Sequence, residues 1–208
     1  MRLSKFFLLG GFCLAAALPL RAQEQGPDAM VKNVTNEVLQ IIRSDKDIQA
    51  GNSKKVMDLI ETKVQQHFDF AHMAQLALGR EWKNASAEQK KQIADEFHSL
   101  LVRTYSKALT EYKNQNIDFK PFKMNPADTD VKVRSQVVQG GGKPTIPLDY
   151  SLEKLPAGWK VYDIEVEGVS LVVNYREDFT AQVRSGGIDG LIKYLQAKNK
   201  SGAAGEKK

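Results

Sequence analysis

The chain has 208 residues, of which 42% are hydrophobic and 26% charged, and a formal net charge of +5. That length suits one domain. The composition excludes collagen, a continuous coiled coil or a mainly disordered chain, and a single Cys excludes an intramolecular disulfide framework. The cationic excess would suit a polyanion or a membrane surface, but its meaning depends on where the cations sit.

They are concentrated at the start. Arg2 and Lys5 precede an apolar run from Phe6 to Leu20, followed by Arg21 and Ala22. A basic start, a short apolar core and a small residue form an export signal, expected to occupy residues 1–22 with cleavage after Ala22. The run is 15 residues long, against about 20 for a membrane-spanning helix. Cleavage removes Arg2, Lys5 and Arg21 but no acid, so the net charge falls from +5 to +2. Cys13 leaves too, so the exported domain of about 186 residues has no thiol, which suits an oxidising compartment.

Helical periodicity follows. Val31, Val34, Val38, Ile41 and Ile42 share one stripe, with Asp28 expected as its cap, and Val56, Leu59, Ile60 and Val64 form a second after Gly51-Asn52-Ser53. Asp69 is expected to cap a third helix, which Gly79 closes. Ser86-Ala87-Glu88-Gln89 is a capping-box pattern opening the longest helix, expected to reach about Tyr112.

From Asn116 the period becomes two. Ile117-Asp118-Phe119 starts a strand that Pro121 confines to an edge or bulge. Val131 to Val137, Ile146 to Leu152 and Trp159 to Val166 alternate between apolar and polar residues around Gly140-Gly141-Gly142 and Pro156-Ala157-Gly158. These form an antiparallel meander. Ser170 is expected to cap a returning helix, Gly186-Gly187 to interrupt it, and residues 201–208 to form a disordered tail. Residues 23–200 then make a single α+β domain, its helices covering one face of a curved antiparallel sheet.

Candidate chemistry is sparse. His67 and His72 are five positions apart and diverge around a helix, which opposes a metal site. Asp163, Glu165 and Glu167 alternate on one strand and read as a solvated face, with paired acid/base carboxylates as the alternative. Gly186-Gly187-Ile188-Asp189-Gly190 matches no phosphate-binding loop. Lys54-Lys55 and Lys90-Lys91 are isolated pairs instead of a basic stripe, so nucleic acid is not expected. The remaining signal is apolar, and composition does not separate a filled core from a cavity between the sheet and the long helix.

Longer phrases carry more information. Asp69-Phe70-Ala71-His72-Met73-Ala74 leads into Ala77-Leu78-Gly79-Arg80-Glu81-Trp82, then Ser86 to Gln89, Phe97, Leu100-Leu101, Tyr105, Ala108-Leu109 and Tyr112. The carboxyl-terminal phrase runs Glu167-Gly168-Val169-Ser170-Leu171, Asn174-Tyr175-Arg176, Phe179 and Gly186 to Ile192. From about residue 28 to 199 the chain resembles the MlaC family, also called the toluene-tolerance or Tgt2-type family.

The resemblance implies an NTF2-like curved sheet packed on helices with a lipid cavity between them, and a periplasmic carrier of glycerophospholipid whose acyl chains enter that cavity while the headgroup stays near solvent. Its expected partners are the outer-membrane MlaA-porin complex and the MlaD-type MCE protein of an inner-membrane ABC transporter. No catalytic residue and no cofactor is expected, with phospholipid as cargo and the chain working as a monomer. A hopanoid carrier and an enzyme on an NTF2-like fold are the alternatives. The expected wall comprises Phe70, Met73, Ala77, Phe97, Leu101 and Tyr105 on helices, and Val133, Val137, Leu148, Tyr150, Ile164 and Val166 on the sheet. Val169, Leu171 and Val172 are expected at the rim, and Tyr175 and Arg176 near the headgroup. Arg suits phosphate, though pairing of Arg176 with Glu177 or Asp178 is equally compatible with the sequence.

Overall fold

The computed structural model describes residues 25–111 and 115–205. The expected export signal and Tyr112 lie outside these. Helices come first: α1 (Pro27–Ser44), α2 (Lys46–Gln49), α3 (Ser53–Leu59), a π-helical turn (Ile60–Val64), α4 (Phe70–Leu78) and α5 (Ala87–Thr110). Strands β1 (Asn116–Phe119), β2 (Asp130–Val138), β3 (Ile146–Leu155), β4 (Gly158–Val166) and β5 (Val169–Ser170) follow, and α6 (Arg176–Gly205) closes the fold. The five strands form one antiparallel sheet in chain order, confirming the α+β expectation.

The local chemistry explains most boundaries. Ser86 Oγ accepts from the Gln89 backbone while the Gln89 side chain accepts from Ser86 N, completing the box that starts α5. The Asp69 carboxylate accepts from His72 N at the start of α4, and Gly79 ends that helix at φ 62°. Ser170 Oγ accepts from Val172 N and Val173 N and turns the chain out of β5.

Three expectations change. Asp28 is not the cap of α1. It lies inside the first turn behind Gly26 and Pro27, where its charge meets the helix dipole. The short α2 was missed, although Asp45 caps it and Lys55 clamps Asp45 and Asp47 at 2.9 and 2.8 Å. The tail begins as helix, because α6 runs on to Gly205. Extending a packed helix costs far less than nucleating one, and Leu191 and Leu195 anchor this one. The expected break in α6 is present at Gly187, whose φ of 67° and ψ of −169° are not helical.

One sheet face carries Val131, Val133, Ser135 and Val137 opposite Leu152, Tyr150, Leu148 and Ile146. On β4 the register shifts: Leu152 pairs with Val161 but Ser151 with Asp163, so Tyr162 is an extra residue. This bulge lets Trp159 and Val161 share a face with Ile164 and Val166, which strict alternation forbids. Met30 and Val31 of α1 cover the end of that face bearing Val131, Leu152, Trp159 and Val161.

Candidate functional site

A domain of this size usually forms one contiguous core. Here the buried apolar residues fall into three clusters. The first joins α4, α5 and α6 around Phe97, Phe179 and Leu191. The second lies between α1 and the sheet. The third joins α1, α2 and α3 around Ile42, Ile48 and Val56. Phe68 packs against the first two, and Val34 against the second and third. Helix α5 takes α3, α4 and α6 as its packing partners, while the sheet is covered by α1 and the start of α4.

The expected wall residues divide along this arrangement. Met73, Ala77, Phe97, Leu101 and Val172 are buried in the helical cluster, and Val133 and Tyr150 in the sheet cluster. Phe70, Tyr105, Val137, Leu148, Ile164, Val166 and Leu171 are half-buried, and Val169 is 56% exposed. On the sheet face the contrast is positional: residues under α1 are dry, whereas Val137, Ile146, Leu148, Ile164 and Val166 keep apolar surface in contact with solvent. Val34 and Ile146 were read as inward-facing on a helix stripe and a strand but, like Phe68 and His98, were not placed on the expected wall, because their place between clusters shows only once these are assembled in space.

Tyr150 is buried, shares hydrogen bonds with Thr35 and Ser135, and burial pushes its phenol up to about 12. Tyr105 shares a hydrogen bond with Tyr175, and its phenol is pushed up to about 12, chiefly by burial. Tyr175 meets Phe97 edge-on at 5.2 Å. Arg176 donates from Nε and Nη2 to the Leu76 carbonyl at 3.2 and 2.8 Å, satisfying the carboxyl end of α4.

The carboxylates on β4 do not form the expected solvated face. Asp163 is 6% exposed, accepts from Ile164 N at 2.8 Å, and is further held by Ser170 and the Val172 backbone. Glu165 pairs with Lys132 at 2.6 Å, and Glu167 sits in a turn at φ 52°. The bulge accounts for this, because it turns Asp163 toward the β5 segment. His67 and His72 serve different surroundings: burial lowers the pKa of His67, while His72 pairs with Glu153 at 2.6 Å. Among the described residues, no group of three or more His, Cys, Asp or Glu is arranged to hold a metal.

Described residues also form two open grooves. One, of about 660 Å³, lies along Asn36, Leu39, Gln40 and Arg43 of α1 and Asn116 and Ile117 of β1. The other, of about 330 Å³, follows Pro121 to Arg134. Neither is lined by a residue of the expected wall. Among the described residues, no helix is long and apolar enough to cross a membrane.

The architecture defines a mixed α+β protein whose open five-stranded antiparallel sheet is partly covered by helices. The chain belongs to the MlaC family: the family model described as MlaC protein matches residues 32–197. It is 27% identical over 206 residues to the intermembrane phospholipid transport system binding protein MlaC of Haemophilus influenzae, covering 94% of each chain. It is 26% identical over 185 residues to toluene tolerance protein ttg2D of Pseudomonas putida, covering 86% of this chain and 84% of that one. Among solved structures, the phospholipid-binding protein of Ralstonia solanacearum in complex with a phospholipid matches with a TM-score of 0.77 and 42% identity. That match covers 85% of this chain and 98% of the other.

Proposed function

We propose that this protein is a periplasmic carrier that holds a glycerophospholipid by its acyl chains, with an NTF2-like frame forming the holder. The observation that carries the reading is the half-buried apolar belt of Val137, Ile146, Leu148, Ile164 and Val166 on the inner sheet face. Apolar surface left against water costs roughly 25 cal/mol per Å², and an acyl chain lying along the belt removes that cost. The phospholipid complex of a 42% identical protein supports the same cargo class.

The physics of the cargo explains why the site lacks a conspicuous polar constellation. Each buried CH₂ contributes about 0.8 kcal/mol, so two acyl chains of ordinary length face a barrier on the order of 20 kcal/mol in water. A carrier then needs to match a bilayer's apolar interior without greatly exceeding it, or release would stall. Shape-tolerant walls do this, and the aliphatic belt of Val, Ile and Leu side chains, which carries no polar anchor, is of that kind. No catalytic step belongs to this reading.

In the cell, the proposed carrier is exported by its amino-terminal signal and works as a monomer. It exchanges lipid with an outer-membrane MlaA-porin complex and with the MlaD-type MCE protein of an inner-membrane ABC transporter. The relatives named for intermembrane transport and toluene tolerance support this placement. Native mass spectrometry of the exported protein, followed by lipid extraction, tests the proposal. Stoichiometric diacyl phospholipid is expected. A folded protein without lipid, or one loaded with a hopanoid, would overturn it.

A further inference from the structure

One buried polar group has no place in the apolar account. His98 lies on α5 with its ring 4.2 Å from that of Phe70. Its Nε2 atom is buried and has no hydrogen-bond partner. Leaving a buried donor or acceptor unsatisfied forfeits the hydrogen bond it would make in water, whereas Phe or Leu at the same place on α5 would incur no such loss. Native structures satisfy most such groups, so an orphan needs an explanation.

Its neighbours supply one. Phe70 stacks on Phe68 at 5.8 Å, and Phe68 packs against both the helical and the sheet clusters. Glu61, whose charge acts on His98, lies in the π-helical turn between Ile60 and Val64, which pack on the third cluster. His98 therefore lies against Phe70, which packs on the helical cluster and stacks on the Phe68 ring that reaches the sheet cluster, and it feels the charge of the π-helical turn. π-Helical turns inside helices are often found at functional sites. Burial, the largest influence on the imidazole, lowers its pKa against the opposing pull of Glu61 and Asp95. Burial thus favours the neutral ring, which has one N–H to give.

We infer that His98 Nε2 donates a hydrogen bond to an acceptor oxygen of the bound lipid, in its glyceryl-ester and phosphate region, and so fixes how the lipid lies between the clusters. The inference rests on the carrier reading and deepens it. A neutral donor suits this task, because it orients an uncharged carbonyl or a phosphate oxygen without the strong ion pair that would oppose release. The polar part of the lipid then lies toward Phe70 and the π-helical turn, with its chains along the half-buried sheet belt.

The test measures the rate at which dioleoyl phosphatidylethanolamine, its dialkyl-ether counterpart and dioleoylglycerol leave the loaded full-length mature protein for excess dioleoyl phosphatidylcholine vesicles. The parent protein is expected to hold the ester phospholipid roughly three- to tenfold longer than a form lacking the contacted oxygen. A preference for ester over ether assigns the contact to a carbonyl. A preference for phospholipid over dioleoylglycerol that His98→Phe abolishes assigns it to phosphate. His98→Phe should remove the preference, and His98→Gln, whose amide nitrogen falls near the Nε2 position, should restore part of it. Unloaded His98→Phe should be at least as stable as the parent, because an orphaned polar atom is gone.

A folded His98→Phe with every preference intact would overturn the inference, as would a parent protein with no preference among the three lipids. The second criterion needs no variant to fold. Either result leaves the carrier reading standing, whereas a parent protein that loads none of the three lipids defeats both.

Discussion

His72 Nδ1 lies 2.6 Å from Glu153 Oε1, joining the first turn of α4 to β3 across 81 residues of sequence. The His72 ring also stacks on Tyr162 at 4.3 Å, and Tyr162 donates its hydroxyl to Asp130 at 2.9 Å. This cluster links the helical layer to three neighbouring strands on the face opposite α1. A double-mutant cycle with His72→Ala and Glu153→Ala, read by urea unfolding, should give a coupling of about 1 kcal/mol for a partly exposed pair. Lipid exchange should be faster in either single variant if this tie restrains the helical layer. Strictly additive stabilities would show that the pair does not act as a unit.

Leu101 and Leu148 were both expected on the lipid wall, but their surroundings differ. Leu101 is 6% exposed within the helical cluster, so Leu101→Ala should cost about 2–5 kcal/mol of stability. Leu148 is half-buried on the sheet belt, so Leu148→Glu should leave the thermal transition close to that of the parent and reduce copurifying lipid by roughly tenfold. Mass spectrometry of both proteins beside thermal unfolding checks the contrast. Full lipid loading in a folded Leu148→Glu protein would remove that residue from the wall.

Asp163 makes a testable pH signature. Burial, opposed by Ser170, Ile164 and Val172, raises its pKa above the ordinary 3.8. The folded chain therefore binds this proton more tightly than the unfolded chain. Ionising Asp163 costs stability: the cost is absent below 3.8 and complete once the pH exceeds the folded-state value. Asp163→Asn keeps an acceptor oxygen and removes the charge. Its stability relative to the parent should rise as pH increases from about 4 through that window, measured as paired Tm values. A difference that does not vary with pH would show that the carboxyl titrates alike in both states.

Much of the fold was legible because its determinants are local. The Ser86–Gln89 box, the Asp69 and Ser170 caps and the stops at Gly79 and Gly187 depend on a few neighbouring residues. Alternation likewise gave the strands. The misreadings arose where distant contacts decide. Asp163, taken for a solvated acid, is buried because the Tyr162 bulge and the β5 segment enclose it. Arg176, a candidate for the headgroup, also donates to the Leu76 carbonyl of another helix, a contact that spacing along the chain does not foretell.

The site was legible as a set of residue types and not as a surface. Apolar periodicity marks which side of a helix or strand faces inward, but a filled core and a ligand-bearing wall present the same pattern. By itself the sequence determined the export signal expectation, the order of elements and the family phrases, since these rest on spacing along the chain. Only the tertiary structure decided that the apolar residues divide into three clusters, that Leu101 is dry while Leu148 is not, and that His98 Nε2 is buried beside Phe70 without a hydrogen-bond partner. Those properties depend on which elements pack together and which stand apart, a balance of packing and solvation distributed over the whole domain.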